Sequence, residues 1–214
     1  MAKKTEEIVI KPLPLKRIVI TLEGDGELIL HKMCKRTRQD LLDKQANKTK
    51  NPEPHNEWED IATSLHWKEP VGDIKTEDDL QNLFETNTPC ISSRGLMESF
   101  CNAVVRYGLD KYTTNFRANV KIISVDKKIP IKFAQHCVRE ELIPSNTASK
   151  VPVRSLFHVF DGWTADVEIQ YVNGTAFKLE QILQVIGYAG FGIGVGSSRD
   201  DDYGRFHIKS AVQY

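Results

Sequence analysis

The sequence predicts an α+β fold in which two helices cover one face of an antiparallel β-sheet. Two segments have apolar residues at helical spacing, and several runs of β-branched or alternating apolar residues are typical of strands. Their order along the chain is strand, helix, strand, hairpin strand, helix, strand, which is a split βαββαβ arrangement. A large insertion is expected after the first hairpin.

The first strand is predicted at Leu15 to Leu22, where β-branched residues dominate. It stops at the turn-forming run of Gly24, Asp25 and Gly26. Glu27 to Leu30 then returns as a second short strand. This part of the chain is therefore predicted to form a hairpin.

The first long helix is predicted to follow Ser92 and Ser93, which can cap its N-terminus. Its apolar residues recur at i, i+1, i+4, i+5 and i+8, and they are Leu96, Met97, Phe100, Cys101 and Val104. Gly108 ends the helix. One face of this helix is therefore expected to pack on the sheet.

Further strands are predicted at Phe116 to Val125, at Val151 to Phe160 and at Trp163 to Val172, where apolar and polar residues alternate. Asp161 and Gly162 join the last two runs. Because Asp-Gly between alternating runs favours a tight turn, these two strands are predicted to pair as a hairpin.

The second long helix is predicted from the i, i+3, i+4, i+7 spacing of Leu179, Ile182, Leu183 and Ile186. It runs into a glycine-rich segment, and Tyr203 to Lys209 closes the chain as a strand. If the insertion and residues 110 to 150 are left out, the elements form the ferredoxin-like pattern on a single domain of residues 1 to 214.

The segment Lys35 to Thr88 is predicted to be an insertion or long loop with some helix, which Trp58, Leu65 and Trp67 could pin to the body. Residues 51 to 88 carry ten acidic and two basic side chains, a net charge of about −8. The rest of the chain has 27 basic and 19 acidic residues, which give it a net charge of about +8. The body could therefore attract a polyanion, and two solvated surfaces of opposite sign are the alternative.

Length and composition limit the class of protein. The 214 residues, 40% hydrophobic and 27% charged, suit one globular domain and disfavour disordered, fibrous and membrane proteins. No apolar run approaches the length of a bilayer span, and the first residues lack the apolar stretch of a signal peptide, so a cytoplasmic location is expected. The four cysteines lack zinc-site spacing and are expected to be free thiols. We expect no cofactor and no metal site.

The glycine-rich segment GYAGFGIGVGSSRDDDYGRF, residues 187 to 206, does not fit a nucleotide-binding loop. Such a loop leads from a strand into a helix, whereas these glycines follow a helix and precede a strand. No lysine follows the glycines, and Val195 occupies the place of the third glycine in G-x-G-x-x-G. Nucleotide cofactor binding is therefore rejected.

A flexible linker is also disfavoured, because Phe191, Ile193 and Val195 alternate with the glycines and predict a packed, extended segment. The remaining interpretation is a loop whose backbone approaches a phosphodiester closely, with Arg199 and Arg205 adding charged contacts. The run Asp200 to Asp202 would repel phosphates unless it forms a solvated turn, which is the favoured interpretation, or holds a divalent cation.

Two motifs of this sequence resemble motifs of the RAMP superfamily of CRISPR systems, in particular of the backbone subunits that coat the guide RNA. One is the glycine-rich loop with Ser and Arg, followed by Tyr-Gly-Arg-Phe at 203 to 206. The other is Pro-Cys-Ile-Ser-Ser-Arg-Gly-Leu-Met at 89 to 97, which is similar to the family's P-G-S-S element, with Cys90 and Ile91 in place of the glycine. The match covers about 30 residues and leaves Lys35 to Thr88 without a counterpart. A phage-encoded relative is one expectation.

The resemblance implies binding of single-stranded nucleic acid, RNA in preference to DNA, with copies side by side in a homo-oligomer or filament, or with other subunits of a nucleoprotein complex. It implies that backbone contacts come from two walls. One wall is Ser92, Ser93, Arg94 and Gly95, and the other is Gly192, Gly194, Gly196, Ser197 and Arg199. Independently of the resemblance, Arg205 and the basic residues after the first hairpin, Lys35, Arg36 and Arg38, are further candidates for contacts with nucleic acid. From the residues alone, Ser92 is a helix cap and Gly95 a packing glycine.

The sequence favours a purely binding role over an enzyme and leaves both open. Ribonucleases of the superfamily use a histidine base or a metal-binding aspartate, and His31 lies among cations that could stabilise a phosphorane. A surface or packing role for His31 is the alternative. A third hypothesis is an assembly factor or inhibitor that acts through the acidic residues 51 to 88.

Overall fold

The computed structural model describes residues 12–46, 56–144, 152–174 and 177–214. The strands are β1 (Leu15–Gly24), β2 (Leu28–Leu30), β3 (His66–Trp67), β4 (Pro89–Ser92), β5 (Val120–Ile123), β6 (Lys128–Lys132), β7 (Gln135–Pro144), β8 (Pro152–Asp161), β9 (Thr164–Val172) and β10 (Phe206–Gln213). The helices are α1 (Lys35–Gln45), α2 (Glu57–Thr63), α3 (Glu77–Thr86), α4 (Ser93–Arg106), α5 (Thr113–Asn119) and α6 (Leu179–Gly192). Short 3₁₀ turns lie at Val125–Lys127 and Arg199–Asp201.

Two antiparallel sheets organise the described residues. The larger has the order β10-β1-β9-β6-β4-β3, with β5 also paired to β9, and the smaller has the order β2-β8-β7. Strand β9 pairs with β1 along one edge, and its other edge is shared by β5 and β6. The predicted α+β class with an antiparallel sheet is confirmed.

The core lies between the large sheet and the two long helices. Along β1, Ile18, Ile20 and Leu22 are buried at every second position, because alternate side chains of a strand point to the same face. Helices α4 and α6, predicted from their helical spacing, contact each other. Their buried faces include Phe100 and Ile186, so both long helices are confirmed together with their role in the core.

The predicted hairpin between the first two strands is wrong. Strand β2 exists, but it pairs with β8, where Leu28 lies opposite Phe160. A strand has only two edges, and those of β1 are occupied by β9 and β10. The buried Trp163 ring packs against Gly24, and its Nε1 donates to the Gly26 carbonyl at 3.1 Å. This contact helps to turn the chain away from β1.

The predicted hairpin across Asp161 and Gly162 is also wrong, because β8 and β9 belong to different sheets. Instead β6 and β7 run antiparallel to β9 and β8, so the four strands make one long ribbon that bends between the sheets. At the bend, the Ala134 amide donates to the Asp161 carbonyl at 2.9 Å, and Gly162 has φ 60°. The Asp-Gly pair therefore makes a corner in the ribbon.

Two predicted strands begin later than expected. Phe116 lies in α5, where its buried ring contacts Phe177 edge to face, and the strand begins at Val120. Tyr203 lies before β10, which begins at Phe206. In both cases tertiary contacts override the local preference of aromatic residues for strands.

Three helices and a short strand occupy the described part of Lys35 to Thr88. Leu65 and Trp67 are buried in the main core and Trp58 packs against it, so the predicted anchoring of this segment is confirmed. The Trp67 Nε1 donates to the Ala62 carbonyl at 2.7 Å, which satisfies its polar atom in the core. This segment thereby forms one side of the site described below.

None of the helices in the described ranges is both long and apolar enough to cross a bilayer. All four cysteines have free thiols, as predicted, and Cys90 and Cys101 are buried.

Candidate functional site

Three clefts that share lining residues lie next to one another on the protein. The central cleft, of about 180 Å³, shares His31, Lys32 and Ser64 with an outer cleft of about 320 Å³ beside α1. It shares Gly196 and Ser197 with a loop cleft of about 250 Å³ beside the glycine-rich loop. We call the three together the groove. The central cleft is lined by Leu30, His31, Lys32, Ser64, Leu65, His66, Cys90, Ile91, Ser92, Gly95, Val195, Gly196 and Ser197.

The N-terminus of α4 opens into the central cleft. Ser92, the last residue of β4, caps the helix by accepting a hydrogen bond from the Gly95 amide at 3.3 Å. The predicted cap is therefore confirmed. Partial positive charge gathers at the first turn of a helix, and the 14-residue α4 directs this turn to the cleft. Ser93 is buried, and Arg94 is exposed outside the residues that line the cleft.

Basic side chains lie near this helix terminus. Lys32 and His66 line the central cleft, and Lys128 lies opposite Ser92 in the register of β4 with β6. Burial, followed by the nearby charges of Arg38 and Lys128, lowers the pKa of Lys32. Burial, followed by the charges of Lys32 and Lys128, lowers the pKa of His66. The positive charges of Lys32, Arg38 and Lys128 disfavour one another, so an anion placed beside Lys32 would be stabilised.

Sequence reasoning did not select His66 and Lys128. They lie 62 positions apart, and they come near each other only because β4 pairs with β3 on one side and with β6 on the other. His66 lines the central cleft, whereas the Lys128 Nζ donates to the Lys68 carbonyl at 3.3 Å. No local motif marks either residue.

His31 lies between the outer and central clefts. Its Nδ1 is 2.8 Å from the Leu156 carbonyl, and its ring contacts that of Phe157 at 5.1 Å between centroids. Because a carbonyl oxygen can only accept, Nδ1 donates the hydrogen in this bond. In the neutral ring, Nε2 then keeps its lone pair and can accept a proton.

The basic residues that follow His31 have different surroundings. Lys35 pairs with Glu59 at 2.8 Å, which offsets its charge. Arg36 lines the outer cleft, where Asp40 and Asp60 are also present. Arg38 is exposed, and its charge acts on Lys32. The net attraction for an anion is therefore centred on the central cleft.

The glycine-rich segment is not extended over most of its length, which corrects that prediction. Helix α6 continues through Gly192, because Ile182, Val185 and Ile186 keep it packed on the core. A methyl group at Gly192 would overlap the Tyr107 hydroxyl. Gly192 therefore provides space for Tyr107, although it also lines the loop cleft.

The loop after α6 is held against β2. Gly194 and Gly196 have φ values of 71° and 90°, which glycine adopts at low cost. A side chain at Gly196 would overlap the Ile29 carbonyl, to which the Ser197 amide donates at 2.8 Å. Gly194 is buried, and its carbonyl accepts from the Ser99 hydroxyl at 2.7 Å. Gly196 and Ser197 thus form a wall of the groove, whereas Gly194 has a packing role.

The aspartate run forms an exposed turn, as predicted. Arg199–Asp201 make one 3₁₀ turn, which ends at Asp202 with φ 65°. Arg199 and Asp200 line the loop cleft, together with Arg106 from the end of α4. Within the described ranges, no cluster of three or more His, Cys, Asp or Glu residues could hold a metal ion.

Arg205 does not line any of the three clefts. Its guanidinium lies 4.9 Å from the centroid of the Phe191 ring, and its buried Nε has no hydrogen-bond partner. The structure thus gathers His31, Arg36, Ser92, Gly95, Gly192, Gly196, Ser197 and Arg199 along the groove. It places Lys35, Arg38, Ser93, Arg94, Gly194 and Arg205 outside its lining.

Comparison with known proteins gives a likeness in structure but none in sequence. No protein-family description and no curated protein sequence matches the chain. A chain from the cryo-EM structure of the type III-B Cmr-beta complex bound to cognate target RNA matches with a TM-score of 0.54 at 7% identity, over 94% of this chain and 61% of that chain. Cmr6 from Pyrococcus furiosus matches with a TM-score of 0.43 at 8% identity, over 92% and 100% of the two chains.

The chain thus spans about three fifths of the length of the Cmr-beta chain. At 7% identity the likeness concerns the fold alone.

Proposed function

We propose that this protein binds single-stranded nucleic acid along the groove as a RAMP-type subunit with a ferredoxin-like core. The observation that carries the proposal is the meeting of the α4 N-terminus with Lys32 and His66 at the central cleft, where the charge of Lys128 also acts on both side chains. A helix N-terminus supplies backbone N-H groups and a favourable dipole for a phosphate. The lysines add charge attraction that does not depend on sequence.

The shape of the groove, between the α4 N-terminus and the loop at Gly196 and Ser197, suits a nucleic-acid strand rather than a compact anion. The groove continues from the outer cleft past His31 to the loop cleft at Arg199. Gly196 and Ser197 present backbone opposite the α4 terminus. Successive phosphates of a single strand could therefore be contacted along the groove.

RNA is the proposed ligand in preference to DNA, and the proposed partners are further copies of this chain or other subunits of a nucleoprotein complex. The two RAMP-like motifs support this preference. The Cmr-beta chain with the similar fold comes from a complex bound to target RNA.

Fluorescence anisotropy tests the proposal. A labelled RNA of about 20 nucleotides and a DNA of the same sequence are titrated with the protein from about 50 to about 200 mM salt. We expect tighter binding of RNA, with affinity that falls steeply as salt increases, because phosphate contacts release counterions. Absent binding at low salt, or affinity that does not depend on salt, would contradict the proposal.

A second candidate function is endoribonuclease activity with His31 as the general base. The observation that favours it is the Nδ1 bond to Leu156, which leaves Nε2 as the proton acceptor of the neutral ring beside Lys32. Nε2 would take the proton of a 2′-hydroxyl, whose oxygen attacks the adjacent phosphorus and expels the 5′-oxygen, with water supplying the leaving group's proton.

Comparison of the wild type with His31→Ala on a labelled RNA tests this second function. Cleavage should fall by about 10²- to 10⁴-fold while RNA affinity is retained, and an RNA with 2′-deoxy substitutions should resist cleavage. Equal cleavage by both proteins, or none by the wild type, would exclude His31 as a base.

A further inference from the structure

We propose that Phe191, backed by Arg205, is a stacking platform for one unpaired base of the strand bound in the groove. This inference rests on the proposed function and adds a site that contacts the face of a nucleobase rather than a phosphate. Neither residue lines the three clefts, so the platform is a separate site.

Phe191 differs from the other phenylalanines in its exposure. All nine lie in the described ranges, and Phe191 is the exposed one, with 66% of its surface accessible, while the others are buried or half-buried. It stands in the last turn of α6, one residue before Gly192. An exposed aromatic side chain on a well-packed helix does not contribute the free energy of burying its apolar surface. A ligand that covers the ring would gain that free energy on binding.

Arg205 holds a guanidinium beside this ring, 4.9 Å from its centroid. Its backbone is fixed, since its carbonyl accepts from the Asp25 amide at 3.0 Å and the preceding Gly204 amide donates to the Glu27 carbonyl at 2.8 Å. Among the described residues, no carboxylate pairs with Arg205, and its buried Nε lacks a partner. Because Phe191 keeps most of its surface exposed, the guanidinium leaves room for a second planar group.

The platform adjoins the loop cleft. Gly192, the residue after Phe191, lines that cleft together with Arg106 and Arg199, so a strand that leaves the cleft on the side of Gly192 would pass next to Phe191. Two arginines, Arg106 and Arg199, and one carboxylate, that of Asp200, line this cleft, and this balance suits a polyanion. A planar base on an aromatic ring flanked by a guanidinium is a recurrent way to bind single strands without sequence preference. The ligand is therefore a nucleobase rather than an apolar peptide.

Anisotropy with two RNAs of equal length tests the platform, one with bases and one abasic. Phe191→Ala should weaken binding of the base-containing RNA by roughly 5- to 100-fold, which is the range for one stacked base. It should leave the abasic RNA and the salt dependence unchanged. Phe191→Leu should lose affinity in the same way, whereas Phe191→Trp should retain it. Tyr112→Ala is the matched control, because Tyr112 is also exposed beside a cation, Lys111, and lies outside the platform.

The outcomes separate the platform from the proposed function. If Phe191→Ala binds the base-containing RNA with the affinity and salt dependence of the wild type, the platform alone is overturned. An equal loss of affinity for the base-containing and the abasic RNA also overturns the platform alone. A change in oligomeric state without a change in RNA affinity would assign Phe191 to a protein contact and also overturn the platform. If no protein binds either RNA, the proposed function itself is wrong.

Discussion

His136 and His158 are hydrogen-bonded to each other, with 3.0 Å between Nε2 of His136 and Nδ1 of His158. Nε2 of His158 is 2.8 Å from the Ser64 hydroxyl and 3.1 Å from the Ile61 carbonyl. Because that carbonyl can only accept, Nε2 of His158 carries its hydrogen and Nδ1 accepts from His136. The pair connects the β7–β8 part of the ribbon to α2 while both rings are neutral.

This geometry predicts that acid destabilises the protein through the histidine pair. Burial lowers the pKa of His136 to about 4, and burial with the charge of His136 lowers that of His158 to about 3. The unfolded histidines bind protons below about pH 6.5, whereas the folded ones do so only at these lower values. Stability is therefore full above pH 6.5 and falls as pH drops toward 4 and then 3. The loss amounts to about 3 kcal/mol or less from His136.

Urea denaturation at several pH values between about 4.5 and 7.5 measures this effect. His136→Phe removes one titrating group and keeps a ring that can stack on Phe84, so the dependence on pH should become weaker. An unchanged dependence in His136→Phe would contradict the assignment. Carboxylates with lowered pKa values, such as Asp79, lose their contribution only at lower pH, near and below the ordinary carboxyl pKa.

The second prediction separates the two roles of Ser92. Ser92→Asp should keep stability within about 0.5 kcal/mol, because Asp caps helices as well as Ser does. It should weaken RNA binding at least about tenfold, because a carboxylate would replace the hydroxyl at the phosphate site. Ser92→Ala should instead cost about 1 kcal/mol of stability through loss of the cap. Equal RNA affinity of Ser92→Asp and the wild type would show that Ser92 is a cap alone.

The third prediction concerns the cations at the central cleft. The double variant Lys32→Ala, Lys128→Ala should lower RNA affinity and reduce the slope of log affinity against log salt by about 1.4, at about 0.7 for each lost phosphate contact. Lys16→Ala with Lys121→Ala is the control, because it removes the same charge from exposed positions on β1 and β5. Similar slopes for the two double variants would mean that the lysines act only through net charge.

The fourth prediction concerns the loop wall of the groove. Gly196→Ala should destabilise the protein by about 1–3 kcal/mol, because the residue has φ 90° and its new methyl would overlap the Ile29 carbonyl. Gly187→Ala is the control, since Gly187 is helical with open space beside it, and it should be neutral or stabilising by up to about 1 kcal/mol. Urea denaturation measures both. Equal stability of the two variants would mean that the loop is not held against β2 as described.

Helices and strands whose apolar residues repeat at a regular spacing could be predicted from the sequence. The pairing of strands with distant segments of the chain could not. Helices α4 and α6 follow from apolar spacing and from the Ser92 cap. The strand predicted at Glu27 to Leu30 is present as β2, but its partner could not be predicted, because local residues do not indicate which edges of β1 are free. For the same reason the Asp161-Gly162 turn was found while its role as a corner was missed.

The candidate site shows the same division. Ser92 and Gly196 could be selected because a cap and a glycine-rich loop have local signatures. His66 and Lys128 had none, since their approach to the helix terminus depends on strand pairing across β3, β4 and β6. Gly192 was selected, but its contact with Tyr107 could be known only from the packing of α4 on α6.

By itself, the sequence determined the two long helices, most strand segments, the basic body beside an acidic stretch, and the two motifs that imply a RAMP-like fold. These properties depend on neighbours within a few residues, where periodicity, caps and turn residues act. Only the tertiary structure decided which strands pair, where the ribbon bends, and that one groove joins His31, the α4 terminus and the loop at Gly196. Such contacts join residues that are far apart in the chain. They are determined by the burial of apolar surface and by the fact that each strand has only two edges for pairing.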